Sequence, residues 1–207
     1  MTNQWLLQHG WGFDRSFWHE WATQFPGQLA DRGYFGSPMA LQDNKCEYIV
    51  AHSLGLHLLP ESVFSQAKVL ILISSFASFH EADPKSQTRT ALNQMLFAMD
   101  KFPKFVLEKF YELCGCSQTV NNQLNIELLK QDLELLNQVS FPLHLLKSIP
   151  KILLIHGKED RIVSPKKSID LHERLPNSRL ELIPGAGHAV PLTHVSEVIS
   201  LIQKELT

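Results

Sequence analysis

A chain of 207 residues, 44% of them hydrophobic and 19% charged, has the material for one buried core and lacks the depleted hydrophobicity of a disordered segment. Nineteen Lys and Arg against twenty-one Asp and Glu give a formal net charge of -2. That balance excludes a global field holding the protein on nucleic acid or an anionic membrane, so any charged partner has to read a local patch.

The first apolar run, "QWLLQ", reads as a strand and leads into the Gly-rich "HGWG" at His9–Gly12; "SFWHEWATQF" then has helical spacing. A second strand in "QLADRG" precedes the turn "DRGYFGSP". "CEYIVAHS" is the third strand, with a helix expected over "LGLHLLPESVF", and "KVLILISS" is the fourth. From Phe79 to Lys147 no strand is evident, but "TALNQMLFAM", "FVLEKFYEL" and "NIELLKQDLELLNQV" are helical. This stretch, 79–147, reads as a helical lid inserted in a single 1–207 domain, or else as a helical half of the core. Strands "KILLIHG" and "SRLELIPG" and helices "SPKKSIDLHERL" and "THVSEVISLIQKEL" complete the chain. Two of the strands are nearly continuous in hydrophobicity, as parallel strands buried on both faces are. The alternation implies an α/β domain with a mainly parallel sheet.

Three cysteines, Cys46, Cys114 and Cys116, form an odd set without a framework, and Cys114-Gly-Cys116 has neither the spacing nor the second pair of a zinc site. No metal and no organic cofactor is expected. The N-terminal segment lacks the basic region and apolar length of a secretory signal, and no run approaches the roughly eighteen apolar residues of a membrane span. A soluble, cytoplasmic protein is expected, compatible with a monomer and with neither membrane nor nucleic acid as partner.

"AHSLG" at residues 51–55 sits where the third strand meets a helix. A strand passing into a helix through one residue puts that residue in a strained turn, and positions two before and two after it must be small. Ala51 and Gly55 satisfy this, so Ser53 reads as the nucleophile of a G-x-S-x-G elbow with Ala for the first Gly. A serine that merely caps the helix is the plainer alternative. A hydroxyl needs a base to take its proton and an acid to orient that base. "IPGAGHAVPL" places His188 in the loop after the last strand, and "LLIHGKEDRIV" places Asp160 after the strand before it, with Glu159 as rival acid. His52, His57, His156 and His194 lie near the same edge without the loop context. The oxyanion of an acyl-transfer intermediate would take the backbone amides of Leu54, after the nucleophile, and Trp11, in the "HGWG" loop, unless that loop is only a turn.

These four ordered motifs, "HGWGFDRSFW", "AHSLG", "HGKEDRIV" and "GAGHAVPL", resemble the α/β-hydrolase superfamily over most of the chain. Within it, "HGWG", "DRGYFGSP" and the compact helical insertion are most similar to the carboxylesterases of biotin synthesis that cleave the methyl ester of pimeloyl-acyl-carrier protein. The resemblance implies a triad of Ser53, Asp160 and His188 with Trp11 and Leu54 as oxyanion donors. Measured against that family, the chain begins at its third strand, which implies a reduced sheet of about six strands. The ten residues "MALQDNKCEY" leave the family's next helix shortened or lost, which puts the packing of one sheet face in question. An acidic carrier protein would dock on Lys85, Arg89, Lys101, Lys104 and Lys109, which face only Asp100 and Glu108 in that stretch. Met95, Leu96, Phe97, Met99, Phe102 and Phe105 would line an acyl channel or belong to the core. A broad short-chain esterase or thioesterase, or the lyase that makes a menaquinone precursor, would use the same residues. A ligand receptor on this fold is the non-enzymatic alternative.

Overall fold

Each of the six apolar runs becomes a strand: β1 (Trp5–Gln8), β2 (Gly27–Ala30), β3 (Tyr48–His52), β4 (Val69–Ile73), β5 (Lys151–Gly157) and β6 (Ser178–Ile183). The structure, a computed structural model, describes residues 5–41, 45–81, 86–120 and 122–206. The strands pair in the order β2-β1-β3-β4-β5-β6, and every neighbouring pair is parallel. Successive strand residues point to opposite faces. In β4, Val69, Ile71 and Ile73 join one core while Leu70 and Leu72 join the other, which is why this run is apolar throughout.

Eight α-helices are present among the described residues: α1 (Gly55–Leu58), α2 (Gln87–Met99), α3 (Pro103–Cys114), α4 (Ile126–Leu135), α5 (His144–Lys147), α6 (Lys166–Arg174), α7 (Val190–Thr193) and α8 (Val195–Leu206). One sheet face is covered by α2, α3, α4 and α8, whose Leu92, Leu107, Leu129 and Ile202 share a core with Leu7, Val50 and Ile71. The opposite face carries Leu56 of α1, Leu146 of α5 and Leu171 of α6 against Leu6, Ile49 and Leu154.

Two expected helices take a different form. The helix expected over "LGLHLLPESVF" stops after one turn, because Pro60 restricts the residue before it: Leu59 is extended at φ -82°, ψ 138°, and the chain resumes as a 3-10 turn at Glu61–Gln66. "SFWHEWATQF" winds as a 3-10 turn over Arg15–Trp18 followed by further turns, capped by the Asp14 carboxylate accepting from the Ser16 amide. The aromatic spacing still serves the core: Phe17, Trp18, Trp21 and Phe25 are all buried, and the Trp21 indole donates to Pro191 O at 2.9 Å. Between β2 and β3 no helix occurs among the described residues; Asp31 and Met39 form an antiparallel bridge there. Beside it lies a hollow of about 410 Å³ walled by the buried Gln8 and Ala30 and by Met39, which is 40% exposed.

The turn after β2 also reaches α4. Arg32 grips Asp132 of α4 with two bonds, from Nε at 2.7 Å and Nη2 at 2.8 Å, and the Tyr34 hydroxyl donates to the same carboxylate at 2.6 Å. The Trp11 indole adds a bond to Leu129 O at 2.8 Å. Through these contacts α4 is fastened to the loops that follow β1 and β2.

Candidate active site

The loops following β1, β3, β5 and β6 all open at the carboxyl edge of the sheet, where ligands bind in folds of this kind. Ser53 directly follows β3 with φ at 54°, in the left-handed region that disfavours side chains, and its amide donates to Ile73 O at 2.9 Å. Steric closeness explains the small neighbours. A Cβ at Gly55 would lie 2.7 Å from Gln8 O, and one at Gly10 would lie 2.9 Å from Ser53 Cβ, so β1, the elbow and α1 touch backbone to backbone.

Three side chains from separate loops meet at this elbow. His188 Nε2 lies 3.0 Å from Ser53 Oγ, and His188 Nδ1 lies 2.7 Å from Asp160 Oδ2. With Nδ1–H donated to the carboxylate, the Nε2 lone pair faces the hydroxyl, the tautomer a general base requires. Asp160 Oδ1 accepts the amides of Ile162 at 2.8 Å and Val163 at 2.9 Å. His156 Nε2 lies 3.0 Å from Val163 O and 3.1 Å from Asp160 Oδ2, both acceptors, so it carries the proton while Nδ1 accepts from Ser168 Oγ. Burial pushes the Asp160 pKa up, but the charge of His188 and the bonds from both histidines outweigh it and hold the carboxyl well below its ordinary range. Glu159, the rival acid, is exposed beside it.

His52 and two hydroxyls that the sequence did not single out, Ser74 and Ser75, hold His188 and the elbow in place. The His188 carbonyl accepts from Ser74 Oγ at 3.2 Å and His52 Nε2 at 3.1 Å, and Ser75 Oγ donates to Ser53 O at 2.8 Å. Ser74 is itself in the left-handed region at φ 50°. The "ISS" after β4 is the signal that could have found them, since two hydroxyls at a strand's carboxyl end abut the elbow. A Cβ at Gly157 would lie 2.2 Å from Gly187 O, so the loops after β5 and β6 pack without space for a side chain.

Of the other histidines, His194 is outside this network, and His57 stacks on Phe76 and donates from Nε2 to its carbonyl at 3.0 Å. Burial, against the opposing pull of that bond, lowers the His57 pKa from 6.5 to about 4. Between these values the unfolded chain binds more protons than the folded one, so this residue costs stability as the pH falls from about 6.5 towards 4. His57→Gln is therefore expected to flatten the decline of the urea midpoint over that window. A variant declining as steeply as the parent would refute the neutral, buried imidazole.

Trp11, Ser53 and Leu54 line one cavity of about 290 Å³, and neither the Trp11 nor the Leu54 amide donates to another backbone group among the described residues. The cavity walls come from Ala91, Leu92 and Met95 of α2 and Phe110 and Leu113 of α3. This corrects the expected acyl channel. Of its six residues only Met95 faces the cavity; Met99 is buried in the core, Leu96 packs against it, and Phe97, Phe102 and Phe105 are 73%, 61% and 56% exposed. Helical spacing marks an apolar stripe but not which side of the hairpin encloses the ligand.

The basic residues of the same hairpin are partly engaged. Lys101 and Lys109 lie over the Phe97 and Phe105 rings, Lys109 pairs with Glu112 at 2.6 Å, and Lys104 donates to Asn122. Arg89 is half-buried on α2, and Lys85 lies outside the described residues. None of the three cysteines is in a disulfide; burial raises the Cys116 thiol to about 11 and the Cys114 thiol further. Among the described residues no three His, Cys, Asp or Glu side chains are grouped to hold a metal, and no helix is long and apolar enough to cross a membrane.

A family model described as "Serine aminopeptidase, S33" matches residues 107–192, which include Asp160 and His188 but not Ser53. A curated relative, a candidate non-heme chloroperoxidase from Synechocystis sp., is 43% identical over 51 residues, 24% of this chain and only 18% of that protein. Among solved structures, an esterase from Exiguobacterium antarcticum superposes with a TM-score of 0.81 at 15% identity, over 100% of this chain and 93% of that one. A bromoperoxidase from Bacillus anthracis gives 0.70 at 16% identity, over 100% and 92%. A hydrolase from Oleispira antarctica gives 0.69 at 21%, over 97% and 89%. Likeness at these identities is a likeness of architecture, and it is consistent across the three: the chain has the α/β-hydrolase fold.

Proposed function

We propose that the protein is a serine hydrolase of carboxylic esters, and the observation that carries this reading is the continuous Ser53–His188–Asp160 hydrogen-bond chain at the wall of a largely apolar cavity. Ser53 Oγ attacks the ester carbonyl as His188 Nε2 takes its proton, and the Leu54 and Trp11 amides receive the developing oxyanion. His188 then protonates the departing alcohol. Water, deprotonated by the same imidazole, cleaves the acyl-enzyme, while Asp160 keeps the imidazole oriented and stabilises its charged form. The name of the matching family suggests peptide amines as the competing substrate class. An aminopeptidase needs an anion for the substrate's ammonium group, and among the described residues the cavity carries one charged side chain, the cation Arg161.

In its finer form the proposal retains the methyl ester of pimeloyl-acyl-carrier protein as substrate, with α2 to α5 acting as a lid and Arg89, Lys101, Lys104 and Lys109 as the carrier's docking surface. Its support is the motif resemblance and the basic character of the α2–α3 hairpin. The cytoplasm is the compartment this reading implies.

A fluorophosphonate probe tests the general form. Stoichiometric labelling located at Ser53 by peptide mass spectrometry, with steady turnover of p-nitrophenyl butyrate, is the expected result. Labelling without turnover would favour a ligand receptor, and labelling elsewhere would overturn the assignment. Release of free acid from the carrier-bound methyl ester at the same rate as from a free methyl ester would remove the carrier from the proposal.

A further inference from the structure

The residue after Asp160 has no part in the triad, yet it lines the same cavity as Ser53. Arg161 sits at the apex of the turn that Asp160 Oδ1 closes by accepting from the Ile162 and Val163 amides, and His156 Nε2 bonds Val163 O in the same turn. The bonds that fix the triad's acid therefore fix the backbone carrying the guanidinium. Only side-chain rotation remains to be ordered when an anion binds, so less entropy is lost than on a loose loop.

That guanidinium is uncommitted. Among the described residues it makes no hydrogen bond or ion pair, and Glu112, a carboxylate that feels its charge, is already bonded to Lys109. Arg161 is exposed at the cavity edge, and two further cations lie near the same wall. Thr88 of the cavity wall is bonded to His80 Nδ1 at 2.9 Å; Lys167 donates to His80 O at 2.9 Å, and the charges of Lys167 and Arg89 both bear on the His80 ring. Arg89 Nε is buried without a hydrogen-bond partner among the described residues. Of these cations Lys167 has two carboxylates nearby, Glu81 and Asp170, and Arg161 itself follows the triad carboxylate Asp160, which is already committed to His188, His156 and two turn amides. A planar, permanently charged fork beside an apolar cavity is suited to a carboxylate or phosphate at one end of an otherwise aliphatic substrate.

We propose that Arg161 forms an anion-recognising subsite of the cavity, selecting esters whose acyl chain carries a second, negatively charged group several bonds from the scissile carbonyl. This rests on the ester-hydrolase reading and narrows its substrate class. The anion has two chemical sources, the free carboxylate of a dicarboxylic half-ester or a phosphate on a longer acyl carrier arm, and both would meet the same guanidinium.

Three probes with a common aliphatic chain separate these sources: methyl hexanoate, the monomethyl ester of adipic acid, and methyl 6-(phosphonooxy)hexanoate. The wild-type protein should favour at least one charged ester over methyl hexanoate by about tenfold in kcat/KM, in line with one charge-assisted contact. The favoured ester identifies the source. Arg161→Gln should bring the charged-to-neutral ratio near one, Arg161→Lys should leave it intermediate, and added salt should erode the wild-type preference. No preference for either charged ester in the wild type, or a ratio that Arg161→Gln leaves intact, would overturn the proposal. Calorimetry on Ser53→Ala protein gives a readout without turnover. There the Kd of the favoured charged ester should weaken about tenfold when Arg161→Gln is added, and an equal Kd overturns the subsite. If the Kd shifts but wild-type protein hydrolyses none of the esters, the hydrolase reading fails while the anion subsite stands.

Discussion

Ester turnover by Ser53→Ala is expected to fall by about five to six orders of magnitude in kcat, with His188→Ala close behind and the double variant no worse than either single one. The non-additivity follows from the geometry. At 3.0 Å the imidazole first takes the Ser53 proton, and its later proton transfers act on the acyl-enzyme that this step forms, so once the hydroxyl is gone the base has nothing to activate. Asp160→Asn should cost less, on the order of 10⁴. It leaves the ring near its place but lets the amide nitrogen meet Nδ1, which reverses the tautomer that the 2.7 Å contact enforces. Residual turnover above water should persist in all of these, because the Trp11 and Leu54 amides are main-chain groups that no side-chain change removes. Stopped-flow and steady-state kinetics on a p-nitrophenyl ester measure each value. Multiplicative losses in the Ser53/His188 double variant would mean that the two residues act independently, and the triad would have to be abandoned.

Much of this site was legible because its requirements are local. Ser53 declares itself through a strand, a small residue on either side and a helix start, and the structure adds the reason: Gly55 must clear the carbonyls of Gln8 and His9. His188 and Asp160 were legible through position, each in the loop after a strand that the apolar pattern marks. Position favoured Asp160 over Glu159 without giving the physical reason. Both stand at the same strand end, and they are separated only by which carboxylate turns inward to accept two turn amides. Ser74 and Ser75 were missed, and His52 and His156 were placed at this edge without their supporting roles, for a related cause. They hold the triad through carbonyls and hydroxyls whose partners lie in other loops, and no spacing in the chain encodes those partners.

The six strands and their alternation with helices were likewise readable from short apolar runs, those of β4 and β5 nearly continuous because both faces are buried and those of the edge strands β2 and β6 only half-buried. Where the reading went astray, local chemistry or packing overrode periodicity. Pro60 cuts the elbow helix to one turn, and the aromatic-rich segment after β1 winds more tightly to bring Trp18 and Trp21 within 5.0 Å of each other. On the α2–α3 hairpin, Phe97, Phe102 and Phe105 obey helical spacing yet face outward, since the pocket is enclosed from the side that carries Leu92, Met95 and Phe110. The bridge between the turn after β2 and α4 spans one hundred residues of sequence, and nothing near Arg32 announces it.

That bridge carries the largest expected change in stability. Asp132→Ala should lower the free energy of unfolding by about 3 kcal/mol, because it strips two bonds from Arg32 and one from Tyr34 at once. Asp132 and Tyr34 are buried while the Arg32 side chain is 34% exposed. Water can therefore recover part of the guanidinium's loss but little of the phenol's, which keeps the estimate below that for a wholly buried pair. Burial and the neighbouring carboxylate hold the Tyr34 pKa well above its usual value, so the hydroxyl remains a donor across the working range of pH. Tyr34→Phe should accordingly cost only about 1 kcal/mol. In the Asp132→Ala background the same change should cost nothing or stabilise, since the donor it removes is already orphaned. Urea titrations of the four proteins close this cycle. Additive losses would show that Tyr34 and Asp132 are not coupled. The effect should also reach the chemistry: α4 holds the Trp11 indole through Leu129 O, so loosening it releases the loop that presents the Trp11 amide to the cavity, the proposed oxyanion donor. Asp132→Ala is thus expected to depress kcat at temperatures where the fold is still intact, with KM for a small ester nearly constant. A variant that unfolds earlier yet keeps its full kcat below the transition would confine Asp132 to holding the helix in place.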